Sequence, residues 1–388
     1  AIGAFALEDY NGSDGEGNNV AIGKSSQAEA TTGQFNTSVG TLSMGVGITT
    51  GDYNVALGYQ TGIAITSGQR NVLIGPHTGD ALTEGNYNTA VGYQALSDDN
   101  EGEYNTAMGY FALENYNDGD GNGHNTAVGN SSQRNTVTGE FNTSLGSLSM
   151  GAGVTTSDLS VAVGYQAGED ITSGSQQTLV GAKAGKNITT GAYSVGVGYE
   201  ALGSGVVTGD YNVGLGFRAG RSVTSGNYNV SIGGDAGFSA TVGSSNIAIG
   251  LNSLFTNVDG SNNTAVGHQT LKLLDPASAV ATNNTAIGHQ AGLALSTGVR
   301  NILVGGLAGD ALTTAADNVA VGYHALGNAT IGNENVAVGR GALFTNVAAD
   351  RNVAVGYLAL NDATASSTSD TYNVGVGNRA GELISSGI

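Results

Sequence analysis

Asp118-Gly119-Asp120-Gly121-Asn122-Gly123 sets oxygen-bearing side chains at alternate positions with a glycine at the sixth, as at the start of a calcium loop. Where such a loop closes with a bidentate Glu this chain has Gly129, and no helical pattern flanks the run, so it reads as an acidic glycine-rich loop. His268 and His289 hold the same place in consecutive repeats and could share a metal ion. Two imidazoles without a third ligand make a poor zinc site, and His124 and His324 are too remote in phase to help. Gly214-Leu215-Gly216-Phe217-Arg218-Ala219-Gly220 and Gly375-Val376-Gly377-Asn378-Arg379-Ala380-Gly381 imitate a dinucleotide fingerprint, but no helix is expected after either. Asn36-Thr37-Ser38, Asn142-Thr143-Ser144 and Asn187-Ile188-Thr189 match the glycosylation pattern. The scattered Asp, His and Ser form no nucleophile–base constellation, so no catalytic, cofactor or metal residue is assigned and the chain is not read as an enzyme.

What positions all these residues is one phrase, clearest at Asn88-Thr89-Ala90-Val91-Gly92-Tyr93. With its Asn as slot 0, it begins at 19, 36, 54, 71, 88, 105, 125, 142, 160, 177, 194, 212, 229, 246, 263, 284, 301, 318, 335, 352 and 373. These 21 copies are spaced mostly by 17 or 18 residues, with 20 or 21 at three places, which marks an architecture of stacked units.

Slot 1 is Val, Ile or Thr in every copy and slot 3 is aliphatic, so the phrase predicts an extended strand with these two on one face. We expect that face to point inward. Slot 2 is Ala, Ser or Gly except at Leu73, Leu179 and Leu303, and slot 7 is always Ala, Ser or Thr. These small residues predict a second dry surface. Slot 4 is always Gly, which predicts a corner with positive φ or backbones too close for a Cβ. Stretches such as Ile48-Thr49-Thr50-Gly51, Ile171-Thr172-Ser173-Gly174 and Val223-Thr224-Ser225-Gly226 read as a second short strand closed by a turn.

One such coil cannot stand alone, because ordering a residue costs about 1–2 kcal/mol while a buried aliphatic returns roughly 1.5–3. Parallel coils about 4.8 Å apart align like residues, which makes the Asn a ladder residue whose amide bonds its neighbours. The fold class is therefore an all-β parallel β-solenoid of about 21 coils over residues 1–388 as one domain. Residues 4–105 and 110–211 are near copies displaced by 106, as Phe5-Ala6-Leu7-Glu8 and Phe111-Ala112-Leu113-Glu114 show, and 212–388 adds further coils. The long steps predict surface loops at Asn117 to Gly123, Leu273 to Thr282 and Asp362 to Thr371. Both ends fall inside a repeat, which suggests a piece of a longer chain.

Net charge is −19 with 12 Lys plus Arg, which disfavours nucleic acid and anionic membranes as partners. No apolar run is long enough to span a bilayer, and there is no cysteine. Gly is 65 of 388 residues without a three-residue period, which excludes collagen. Aromatic residues recur at slot 5 (Tyr59, Tyr93, Tyr110, Tyr165, Tyr323, Tyr357) and just before the Asn (Phe35, Tyr53, Tyr87, Tyr104, Phe141). They could stack sugars or pack coil on coil and subunit on subunit.

Asn18-Asn19-Val20-Ala21-Ile22-Gly23, Asn246-Ile247-Ala248-Ile249-Gly250 and Asn335-Val336-Ala337-Val338-Gly339 resemble the head repeats of YadA-like trimeric autotransporter adhesins. The longer form at Asn88 to Leu96 is similar to repeats of phage tail-fibre proteins. The resemblance implies a left-handed β-roll, a homotrimer, and an extracellular fibre that attaches to a host. The coil is longer than in the adhesin heads and no stalk or anchor is visible, which favours the phage fibre. The expected function is a structural shaft on the virion surface, spacing a tip outside this sequence that meets a host receptor or glycan. The alternatives are a bacterial surface adhesin that binds matrix or glycans and, lower, an ice-binding solenoid. The small residues of slots 2 and 7 are expected at the subunit contacts.

Overall fold

The computed structural model describes residues 1–11, 17–117, 119, 122–362 and 369–384. Each phrase forms a three-residue strand, and every pairing between strands is parallel and in register. Val20 faces Thr37, Ala21 faces Ser38 and Ile22 faces Val39; the next pair aligns Thr37, Ser38 and Val39 with Val55, Ala56 and Leu57. The chain is an all-β parallel β-solenoid of about 20 turns, without helix among the described residues. It divides into two compact units, Ala1–Tyr193 and Ser194–Ile388. The first carries ten such strands, from Val20–Ile22 to Thr178–Val180, and the second eleven, from Val195–Val197 to Val374–Val376.

The faces of the strand are the reverse of the expectation. Thr89 and Val91 are only half-buried, whereas Ala90 between them is wholly buried, and the same order holds in every phrase. The slot-7 residue Ala95 is wholly buried too, so both small slots line the inside of their own coil and neither is free for a subunit contact. A coil of 17 residues closes around a narrow interior. Small side chains on the strand wall leave room for one large side chain from the opposite wall, and this is Leu96 at slot 8.

Slots 8 and 11 share the filling of the interior along the stack. Where slot 8 is Leu, slot 11 varies, from Asp99 and Asn257 to the wholly buried Tyr116 beside Leu113 and Leu274 beside Leu271. Where slot 8 is Gly, as at Gly62, Gly168 and Gly309, slot 11 is Ile65, Ile171 or Leu312, and that residue fills the core. Each of the three large slot-2 residues, Leu73, Leu179 and Leu303, sits where its own coil and the preceding one both have Gly at slot 8. A Cβ on Gly292 or Gly309 would stand 2.8 or 2.9 Å from a methyl of Leu303. Leu96 and Leu113 hold their places with φ of 54° and 50°. The left-handed backbone costs about 1–2 kcal/mol per residue, which burial of roughly 1.5–3 kcal/mol per side chain offsets.

The Asn ladder is present in a more directed form than expected. Asn88 Oδ1 accepts the backbone N–H of Asn105 at 2.8 Å, and its Nδ2 donates to the carbonyl of Gly102 at 2.7 Å. Both bonds reach the following coil, and together they clamp the turn that leads into its strand. Some Asn donate backwards as well, as Asn71 Nδ2 does to Asn54 Oδ1 at 3.1 Å. Slot 0 is not Asn in three copies, Ser160, Gln177 and Ser194. Ser160 keeps one arm, its Oγ accepting the N–H of Gln177 at 3.2 Å. At slot 4, Gly75 has φ +128° and a Cβ on it would stand 2.6 Å from the carbonyl oxygen of Gly92, so both reasons for a corner glycine hold. Buried slot-7 hydroxyls are satisfied between coils, Thr61 Oγ1 donating to Gly75 O at 2.6 Å and Ser43 Oγ to Ala56 O at 3.0 Å.

The expected second strand is a turn. The N–H groups of Thr172, Ser173 and Gly174 converge on the single carbonyl of Thr189 at 3.0, 3.3 and 3.2 Å, which curls the backbone and prevents an extended ladder. Pairing in this region is confined, among the described residues, to the bridges Thr136 to Thr155 and Ser261 to Ala281 and to Ala349–Asp350 with Ser369–Asp370.

Candidate functional surfaces

Because slots 0 and 2 point inward, the pleat turns slot 1, slot 3 and the residue before the Asn outward. In the first unit this lays Val, Ile, Leu, Met and Thr in two columns along the strands; Met108 and Leu145 are 43% and 49% exposed. Beside them the residues before the Asn stack on one another. Phe35 lies on Tyr53, Tyr87 on Tyr104, Tyr104 on His124 and His124 on Phe141, with centroids 4.8–4.9 Å apart and planes within 9°. Arg70 fills the one gap, its guanidinium 5.6 and 5.3 Å from the Tyr53 and Tyr87 ring centres. In the second unit the same column turns ionic, with Arg300 on Asp317 at 2.6 Å and Arg351 on Glu334 at 3.0 Å.

Tyr104 and His124 are covered by rings on both faces, and Tyr53 and Tyr87 each have one face on a ring and the other on the Arg70 guanidinium, so inside the column mainly edges meet solvent. A sugar needs a free face, and this stacking favours the packing role of the aromatic ladder.

No protein-family model matches the chain, and no curated protein matches it.

Of the calcium-like run, Asp118, Asp120 and Gly121 lie outside the described residues, and so does most of the bulge from 362 to 371. The bulge from 273 to 282 is exposed over residues 277–281, but these are Ala, Ser and Val and carry no charge. His268 and His289 stack with centroids 5.3 Å apart, and no group of three or more His, Cys, Asp or Glu gathers among the described residues. The two fingerprint-like runs are ordinary strand and corner, at Val213–Leu215 and Val374–Val376. Asn36 and Asn142 are wholly buried ladder residues, out of reach of a glycosyl transfer. Thr66, Thr172, Thr224 and Thr313 donate their hydroxyls to carbonyls of the next coil at 2.9–3.1 Å, which removes these donors from an ice-like water array.

A hollow of about 150 Å³ lies over Gly341 in the second unit. Gly341 is the only glycine among the 21 slot-6 residues, standing between His324 and Leu358 of the adjacent coils. The missing side chain leaves bare backbone under the hollow, over which Leu358 leans, its Cδ2 2.8 Å from where a Cβ would stand. Tyr323, Phe344 and Tyr357 wall it, Leu358 and Asn361 close it, and Arg340 stands at its rim. His324 Nδ1 is buried without a hydrogen-bond partner. The sequence signal for this place was a gap in an otherwise filled column, which motif reading passes over.

Proposed function

We propose that the chain is a structural shaft segment of a trimeric extracellular fibre, in which the outward strand face is the contact between chains. The single observation that carries this reading is the exposed face itself. Ten strands about 4.8 Å apart, with outward side chains about 7 Å apart, make a stripe of roughly 300–350 Å² in the first unit before its aromatic column is added. With the aromatic column added, the stripe reaches the upper part of the roughly 300–600 Å² spanned by the largest apolar patch of a typical monomer, a size that often marks an interaction site. Three identical in-register stripes can close on one another around a common axis, and a closed symmetry leaves no copy exposed.

The likeness to phage tail-fibre repeats supports a virion shaft spacing a host-binding tip, and left-handed coils go with it. The bacterial adhesin remains the alternative on the same repeat. Sedimentation equilibrium of the chain at micromolar concentration tests the assembly. A particle of three times the 38.5 kDa chain mass is expected, and a stable monomer overturns the reading.

A further inference from the structure

We propose that the hollow over Gly341 binds a sugar residue bearing a carboxylate, of the uronic-acid class. The space, about 150 Å³, suits one pyranose ring rather than a chain segment. Its walls are aromatic but not stacked into a closed ladder. Slot 5 runs Tyr323, Arg340, Tyr357 on successive coils, so an arginine separates the two tyrosine rings. Tyr323 and Tyr357 are 50% and 40% exposed. Phe344 meets His324 edge to face at 5.4 Å and fixes that ring. Apolar C–H faces of a pyranose pack on such walls, and its hydroxyls can reach polar edges.

Buried His324 Nδ1 makes no hydrogen bond and lies beside Gly327, where a Cβ would stand 3.0 Å from it, so packing rather than a ligand holds that edge of the ring. Asp310 is on the preceding coil, and burial raises its carboxyl. The cation left for an incoming anion is Arg340. It forms no ion pair among the described residues, and its guanidinium sits 5.7 Å from the Tyr357 ring centre. Arg379, on the far side of the same tyrosine at 5.9 Å, is tied to Glu382. In a chain of net charge −19, an unpaired arginine at the mouth of an aromatic hollow selects for a carboxylate at that point. The ring hydroxyls are then left to polar edges such as Asn361, and no bond is made or broken.

The test is titration of the whole chain with methyl β-glucuronide and with methyl β-glucoside, followed by calorimetry or by the NMR signals of Tyr323 and Tyr357. The glucuronide is expected to bind about tenfold more tightly than the glucoside, the measure of one charge-assisted hydrogen bond. Arg340→Gln, at an exposed position that leaves the fold alone, should bring the two to equal weak affinity. Gly341→Gln restores the side chain common at slot 6 and should abolish binding of both. Absence of glucuronide binding at millimolar concentration, equal affinity of the two glycosides for the native chain, or unchanged binding in Gly341→Gln each overturns the proposal.

Discussion

A methyl group placed on Gly62 would stand 2.9 Å from Cδ1 of Leu73 on the strand of the next coil, and 2.8 Å from Cδ1 of Ile65. The interior between Gly62 and Leu73 is therefore already full, and the two residues are chosen together. Gly62→Ala should cost about 1–3 kcal/mol through overpacking and its left-handed φ of 54°. Leu73→Ala should cost about 2–5 kcal/mol by leaving a cavity. The double variant should cost less than the sum, because the space freed by Leu73 receives the new methyl. Stacked repeats open locally, so native-state hydrogen exchange of these coils is the suitable readout. Additive costs would show that the two residues do not share a volume.

Asn88 satisfies two buried backbone groups of the following coil, the N–H of Asn105 and the carbonyl of Gly102. Asn88→Ala strands both, at about 1–3 kcal/mol each. Asn88→Ser should cost roughly half as much, since Ser160 shows a hydroxyl retaining the bond to the next N–H. Exchange protection at Asn105 measures this. Equal losses in the two variants would mean that the carbonyl arm carries nothing.

How much of this was legible beforehand follows from the same residues. The spacing of Asn88 and its copies, the strand, the corner glycine and the ladder all rest on local rules, and they stand in the structure. Which face of Thr89-Ala90-Val91 turns inward does not follow from alternation, which separates two sets without orienting them. The deciding quantity is the width of the closed coil, set by Leu96 on the opposite wall. The turn at Ile171 to Gly174 reads as a strand in sequence because β-branched residues are common to both. The hollow over Gly341 was invisible because its signal is one absent side chain.

The carboxyl of Asp98 is raised by burial and by the nearby charges of Glu114 and Asp80. A carboxyl that holds its proton more tightly folded than unfolded destabilises the fold when ionised, and the cost is relieved as pH falls through the raised value. Asp98→Asn should therefore raise the melting temperature at pH 7, with the gain vanishing near pH 3. Asp317 is the opposite case, lowered by its hydrogen bond from Arg300. Its contribution is present above the ordinary carboxylate range and lost as pH falls through the lowered value, so Asp317→Asn should lower the melting temperature at pH 7 and converge with the native chain in acid. A gain from Asp98→Asn that persists in acid would assign it to packing.

Outward substitutions should separate assembly from folding. Val91→Glu and Val163→Glu place charges on the strand face without touching the buried Ala90 and Ala162. They should dissociate the assembly while leaving the β-sheet circular dichroism unchanged, whereas Ala90→Glu should unfold its coil. Loss of β structure in Val91→Glu would place that side chain in the core.

The chain contains no cysteine, so a single introduced thiol reports one position without background. The most direct measurement is treatment of Val91→Cys, at micromolar concentration under native conditions, with a short bis-maleimide, followed by denaturing electrophoresis. If the outward strand face is the contact between chains, covalent dimers form at Val91→Cys and none at the buried Ala90→Cys. Monomeric product alone at Val91→Cys, with labelling as fast as in a free peptide, would contradict it.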